Sequence, residues 1–408
     1  MLETRKADTG TDADKNILLG RFSSEQLHWL DKARQFARAV SLDEVMASDR
    51  DNVFRRDMFE AACREGFGSL PFNPQYGGSG ADYVSFCLIN EEFGRRCLPV
   101  MSSLGVHVLC QEPINRFGTP EQKEKYLRGS SDGTYLAAFG LTEPNAGSDT
   151  AAIETTARLA GDHYVLNGTK TFITSGASAD YFIVMAKLIG EASQDATESG
   201  AAKRGGNITA FIVEKDYPGF SIGQKFDMLG MRGYSTCEIV FSDCQVPSHN
   251  LLGQHGEGRK VALSSLAKGR VTIAAQAVGW AQGALDALLI ELQRHYRDGD
   301  LTLANELNGM AVKLGDLAVK VEAARALIYQ AARFVDAGES NVSVAGMAKT
   351  MATDTAMLVA GQAIDMLGSD GLKNELLLER IFRDAKAGQI YEGTNQIQRM
   401  LIARDLLK

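Results

Sequence analysis

No stretch of the 408-residue sequence approaches the roughly 18 consecutive apolar residues that would suggest a membrane-spanning helix. Met1 to Asn16 is polar and mixed in charge, without the apolar segment of a secretory signal, so a cytoplasmic protein is the expectation. Excess positive charge is also missing. A net charge of −8 argues against nucleic acid or an anionic membrane as the main partner. The six cysteines form no CxxC pair and do not cluster with the six scattered histidines. That excludes a recognisable zinc site or disulfide framework and leaves buried thiols, with no metal expected.

What is present is ordinary for a globular chain: 45% apolar and 23% charged residues. The length exceeds what one core usually supports, so two or three packed domains are expected. From Ser23 to about Arg128 the sequence reads helical, with amphipathic segments around Leu27 to Val40, Met58 to Gly66, Val84 to Arg96 and Glu121 to Tyr126. The Gly-rich Pro74 to Gly80 reads as a connecting loop, because no strand precedes it and no Lys follows at P-loop spacing.

From Tyr135 short β-rich runs take over: Tyr135 to Leu141, His163 to Leu166, Thr169 to Thr174, Tyr181 to Ala186, Ile208 to Val213 and Glu238 to Phe241. Asn167-Gly168 between two runs is a hairpin signal, so an antiparallel sheet is expected. Gly190 to Asn207, rich in Ala, Ser, Gly and charge, reads as a flexible excursion. The helical period returns from about Gly258, as in Leu314, Leu317, Val321, Ala324 and Ile328, with Gly338 as a C-cap, and predicts a bundle. The fold class is therefore mostly α with a central antiparallel β domain, divided at 21–134, 135–250 and 251–408.

Three stretches can carry chemistry. Near the C-terminus, Gln389-Ile-Tyr-Glu-Gly-Thr-Asn-Gln-Ile-Gln-Arg399 sets Glu392 beside helix-breaking Gly393, with Thr394 able to cap a following helix. Such a carboxylate can face a pocket, or be a surface Glu on a helix end. Gly140-Leu-Thr-Glu-Pro-Asn-Ala-Gly-Ser-Asp149 ends a strand in a turn with the hydroxyls of Thr142 and Ser148, and Gly147 allows a ligand close to the backbone. In Lys170-Thr-Phe-Ile-Thr-Ser-Gly176, strand alternation places Phe172 and Thr174 on one face, an aromatic plane beside a hydroxyl suited to a flat cofactor.

In this order, the three stretches resemble the acyl-CoA dehydrogenase family, together with Tyr76-Gly-Gly-Ser-Gly80, Gly118-Thr-Pro-Glu-Gln-Lys123, Leu229-Gly-Met-Arg232, Ser235-Thr236, Val246-Pro247 and Leu251-Leu-Gly253. The resemblance covers nearly the whole chain. It implies helices, a β-barrel-like sheet and a four-helix bundle, FAD as cofactor, and α,β-dehydrogenation of an acyl thioester. By motif, Glu392 looks like the base for the α-proton and the Gly393 N–H like a donor to the thioester carbonyl. Leu141, Thr142, Ser148, Phe172 and Thr174 would meet the flavin half of FAD and its pyrophosphate, and Thr394 and Gln396 the adenylate half. Tyr391 would line the substrate channel. Arg270 matches a basic position near the active site, with a structural helix Arg as the competing reading.

Some family members place the base on an earlier helix, where this chain has Gly269. The resemblance further implies an electron-transfer flavoprotein or other acceptor, and a homotetramer or homodimer. A carrier-protein-bound substrate, an oxidase, or a non-catalytic relative are the alternatives. Two stretches depart from the family pattern, Gln293 to Asp300 and Asp365 to Gly371. The Asp365 carboxylate would stand near the FAD diphosphate or ribose and should weaken cofactor binding unless a cation such as Arg294 or Arg297 compensates.

Overall fold

Capping side chains set many of the helix starts. In the computed structural model, which describes residues 22–190, 207–297, 301–339 and 341–408, Ser23 opens α1 (Ser24–Ala39) and Ser41 opens α2 (Leu42–Arg50), each through a capping box. α3 (Arg56–Arg64) follows, and Asp82 caps α4 (Tyr83–Arg95). α5 (Met101–Phe117) is buried on most sides and carries Pro113 inside, so no amphipathic stripe announces it.

The bundle consists of α6 (Gly258–Arg297), α7 (Leu301–Asp336), α8 (Val342–Leu367), α9 (Leu378–Gly388) and α10 (Asn395–Leu406). Gly338 follows α7 at φ 72° with its N–H on the Val335 carbonyl, the expected C-cap. α6 is the axis of the molecule. Its Val271, Ala274, Ala277, Val278, Trp280 and Ala281 are all fully or almost fully buried. Between Gly258 and Arg294 it is long and apolar enough to cross a membrane, yet 72% of that apolar window is buried inside the protein. It meets α4 backbone to backbone: a Cβ on Gly279 would lie 2.1 Å from the Glu91 carbonyl oxygen, so only glycine fits.

The sheet contains β1 (Ala137–Gly140), β2 (Thr156–Ala160), β3 (His163–Ile173), β4 (Tyr181–Ile189), β5 (Ile208–Glu214), β6 (Phe220–Lys225), β7 (Cys237–Pro247) and β8 (Leu251–Leu252). They pair in the order β6-β7-β3-β2-β4-β5-β8, with β1 also beside β4. Most neighbours are antiparallel, as expected, but β1 and β2 both run parallel to β4, so the sheet is mixed. The Asn167-Gly168 hairpin does not form. β3 runs straight through it with a register shift against β7 between Leu166 and Gly168, and the β2–β3 turn falls at Gly161-Asp162 instead. Gly168 supplies φ 145° for that bulge, which a turn signal read from sequence cannot be told from. The excursion expected at Gly190 to Asn207 lies, over 191–206, outside the described residues.

One buried ionic network fixes α9, the helix leading to Glu392. Arg380, with no exposure, donates to the Val45 carbonyl at 2.6 Å and to Asp384 at 3.4 Å. Arg383 pairs with Asp49 at 2.7 Å, and the Met231 N–H donates to Asp384 at 2.5 Å. Gly230 lets the sheet's loop reach α9, since a Cβ there would lie 2.4 Å from the Arg383 carbonyl carbon. α2, the sheet and the bundle are thereby tied together behind the segment that carries Glu392.

Candidate active site

α9 ends at Gly388, and the chain crosses to α10 through two consecutive residues in the left-handed region, Glu392 (φ 56°) and Gly393 (φ 88°). Left-handed backbone at a glutamate is strained and persists only where the surroundings hold it. Three side chains do so. Arg270 Nε of α6 donates to the Glu392 carbonyl at 3.4 Å, and Lys349 Nζ of α8 donates to the Gly393 carbonyl at 3.0 Å. Gln398 Nε2 of α10 donates to both carbonyls at 3.2 Å. Thr394 caps α10, its hydroxyl accepting from the Ile397 N–H, as its sequence position predicts. Among the described residues the Gly393 N–H has no hydrogen-bond partner.

The Glu392 carboxylate lies against α6. Its Oε2 is buried without a partner. Burial pushes its pKa up to about 7, while the Arg270 and Lys349 cations pull against that rise. Arg270 is 7% exposed and donates to the Glu392 carbonyl, so it supports that segment as well as packing in α6. Tyr391 is half-buried beside Ser102 of α5.

A second group of residues sits at the ends of β1 and β3. Leu141 and Thr142 are half-buried, and the Thr142 carbonyl accepts from the Thr171 N–H at 2.9 Å. Ser148 is exposed, and the space beside Gly147 is open, with nothing within 4 Å of where a Cβ would be. Phe172 and Thr174 do not share a face by simple alternation. The register against β7 shifts between Lys170 and Ile173, Phe172 adopts φ 56°, and Thr174 lies past the strand end. The irregularity turns the Phe172 ring outward, 56% exposed and stacked on Phe226 at 4.8 Å. Gln396 is exposed on α10.

A buried ion pair braces the turn. Lys170 Nζ, with no exposure, meets Glu143 Oε1 at 2.6 Å and the Leu141 carbonyl at 3.3 Å. Glu143 also accepts from the Thr155 and Glu154 N–H groups. Burial alone would raise the Glu143 carboxyl, but Lys170 and these donors outweigh it and hold it below the usual range. Contacts lead from here to Glu392: Ser175, just past β3, donates to Ser103 of α5 at 2.8 Å, next to the Ser102 that faces Tyr391.

The open turn at Gly147 and the outward ring of Phe172 leave room and an aromatic face that suit a flat cofactor. Of the cations expected to offset Asp365, Arg294 is paired with Glu291 at 2.9 Å, and the Arg297 side chain lies outside the described residues. All six cysteines are free and buried, as expected. Among the described residues no cluster of His, Cys, Asp or Glu could hold a metal ion. Lys349, Gln398, Lys170 and Glu143 were not singled out from the sequence. Lys349 offers one signal, a lone charge in the otherwise apolar and hydroxyl-rich Val342 to Ala352.

Family models described as acyl-CoA dehydrogenase N-terminal, middle and C-terminal domain match residues 23–134, 138–244 and 256–407. An acryloyl-CoA reductase (NADH) of Anaerotignum propionicum is 39% identical, covering 92% of this chain and 93% of its own. An acyl-CoA dehydrogenase of Bacillus subtilis is 39% identical over 94% of this chain and 98% of its own. The butyryl-CoA dehydrogenase structure from Megasphaera elsdenii superposes with a TM-score of 0.88 at 37% identity, covering 95% of this chain and 99% of that one.

Proposed function

The chain belongs to the acyl-CoA dehydrogenase family and is an FAD-dependent oxidoreductase acting on acyl-CoA, and on that footing we propose that Glu392 is the base that removes the substrate's α-proton. The observation that carries this reading is a buried carboxylate, raised to about 7, with one unpartnered oxygen beside an unpartnered backbone N–H. A carboxylate in that range is still about half ionised at neutral pH and is a far better proton acceptor than a solvated one.

As the α-C–H bond breaks, its electron pair moves toward the thioester carbonyl and negative charge grows on that oxygen. The Gly393 N–H donates to it there, fixed in direction by the clamp on the two carbonyls and so needing no reorganisation. Glu392 holds the proton. A bound flavin supplies the acceptor for the hydride that leaves Cβ as the Cα–Cβ double bond forms. Arg270 and Lys349 keep the carboxyl from drifting too high to ionise. Tyr391 lines the channel.

In the same reading Leu141, Thr142, Ser148, Phe172 and Thr174 hold the flavin end of FAD and its pyrophosphate, and Thr394 and Gln396 its adenylate end. The exposure of Ser148 and Phe172 and the open space at Gly147 support the flavin-end assignment. The N-terminal helices, the sheet and the bundle act as three domains, with the cofactor at their junction. Electrons pass on to an electron-transfer flavoprotein or a similar acceptor. In this reading the protein self-associates into a homodimer or homotetramer. Six free, buried thiols suit a cytoplasmic setting.

Anaerobic titration with butyryl-CoA tests the base: the flavin absorption of the native protein should bleach, and that of Glu392→Gln, still carrying FAD, should not. Bleaching of the variant at the native rate would sink the assignment.

A further inference from the structure

The crossover that carries Glu392 is closed at its base. The Asn395 N–H, which opens α10, donates at 3.0 Å to the carbonyl of Gln389, just past the end of α9. One side chain of α8 meets both of these residues. Asp354 Oδ1 accepts from Gln389 Nε2 at 2.7 Å and from Asn395 Nδ2 at 2.8 Å, one donor from each end of the crossover.

Both amides are held in the orientation this requires. Lys386 Nζ donates to Gln389 Oε1 at 3.0 Å, which leaves the Gln389 amide hydrogens for Asp354. Asn395, 2% exposed, accepts from Lys349 Nζ at 2.8 Å through Oδ1 and gives its second Nδ2 hydrogen to Thr353 Oγ1 at 2.9 Å. Turning that amide over would set its NH2 against the Lys349 ammonium. The second oxygen of Asp354 has a separate partner. Oδ2 pairs with Arg399 at 2.6 Å on the exposed side of α10, and an ion pair so open to water contributes little.

Glu392 lies between the two tied ends with its backbone at φ 56°. The donors from Arg270, Lys349 and Gln398 fix the peptide planes in the middle of the turn. They do not fix where the turn leaves α9 and enters α10, and Asp354 does. We propose that Asp354 is a positioning residue for the reaction: through Oδ1 it holds both ends of the crossover against α8 and so sets where the Glu392 carboxylate meets the substrate's α-carbon. This rests on the assignment of Glu392 as base. A small displacement of the carboxylate slows proton transfer far more than it alters thioester binding.

The test is anaerobic stopped-flow reduction of the bound flavin by butyryl-CoA and by its α-dideuterated form, with rates taken per flavin bound. Asp354→Ala removes both oxygens, Asp354→Asn keeps an Oδ1 acceptor for the two amides, and Arg399→Met removes the surface pair alone. Asp354→Ala should lower the limiting rate about tenfold or more, with half-saturation moved by less than about threefold and an α-deuterium isotope effect at least as large as the native one. Asp354→Asn should recover most of the rate, and Arg399→Met should stay close to native. A native rate in Asp354→Ala, a loss that Asp354→Asn or Arg399→Met shares in full, or a slowed step without the isotope effect overturns the proposal. If Asp354→Ala does not hold FAD, Gln389→Ala removes one of the two ties and should slow the same step several-fold, and a native rate there overturns the proposal equally. Failure of the base assignment reads out separately, as bleaching of Glu392→Gln at the native rate.

Discussion

A Cβ built on Gly269 would lie 3.2 Å from Glu392 Oε1 and 2.4 Å from Leu109 Cδ1. The side-chain space of one α6 residue is therefore filled by a carboxylate that arrives from the far end of the bundle. Gly269→Ala should leave the fold intact, because the Leu109 methyl can give way, but it displaces the carboxylate by a few tenths of an ångström. Activity with butyryl-CoA is expected to fall about tenfold with FAD retained, measured by steady-state turnover and flavin content.

Glu392 itself gives a pH signature. As the proposed base it must be ionised, so kcat/KM should climb as pH rises and level off above about 7. Stability runs the other way. The folded carboxyl titrates at about 7 against 4.5 ordinarily, so the folded state holds its proton more tightly and loses stability as pH rises between those values. Glu392→Gln should therefore be more stable than the native protein at pH 8, by about 2–3 kcal/mol, and should lose that advantage as pH falls toward the ordinary carboxyl range. Urea unfolding across this range checks it.

Lys349 has two duties that one substitution removes together. Lys349→Met takes a donor from the Gly393 carbonyl and from Asn395, and a cation from beside Glu392. The acid limb of the rate profile should move to higher pH, and turnover at neutral pH should drop by about tenfold or more. Lys349→Arg, which keeps the charge, should restore the limb better than the rate. An unmoved limb would mean that Lys349 acts on the backbone alone.

The Phe172 ring is more than half exposed, so Phe172→Ala removes little from the core. Unfolding stability should change by less than about 1 kcal/mol. FAD should be held several-fold more weakly, seen in equilibrium dialysis. Weak cofactor binding without loss of fold separates a flavin contact from a structural one.

Lys170→Met strands the Glu143 carboxylate in the interior with only backbone donors. A loss of about 3–5 kcal/mol is expected, with FAD released early in a thermal melt. Adding Glu143→Gln removes the unpaired charge and should recover part of that loss.

The residues that could be read from the chain are those whose role is written locally. Gly393 and Thr394 form a helix break whose positive-φ glycine and cap follow from residue type, and the structure has both, whereas the left-handed backbone of Glu392 is imposed by the side chains that hold it. Phe172 could be found, but not its direction, because a bulge set by pairing with β7 overrides strand alternation. Asn167-Gly168 carries the same positive-φ preference as a hairpin turn and is used for a bulge instead. Lys349 and Gln398 were illegible for a different reason. Lys349 meets the Gly393 carbonyl across 44 residues, which depends on how α8 packs against this segment, and Gln398 reaches back to the Glu392 and Gly393 carbonyls only because of the turn between them.

The network behind α9 bears on how the enzyme comes to be active. Arg380 reaches Val45 across 335 residues of chain, and Arg383 reaches Asp49 across 334. Contacts of such long range close late, because the loop entropy must be met before they form. The helix that leads to Glu392 is thus anchored to residues near the other end of the chain, so its final placement depends on nearly the whole polypeptide.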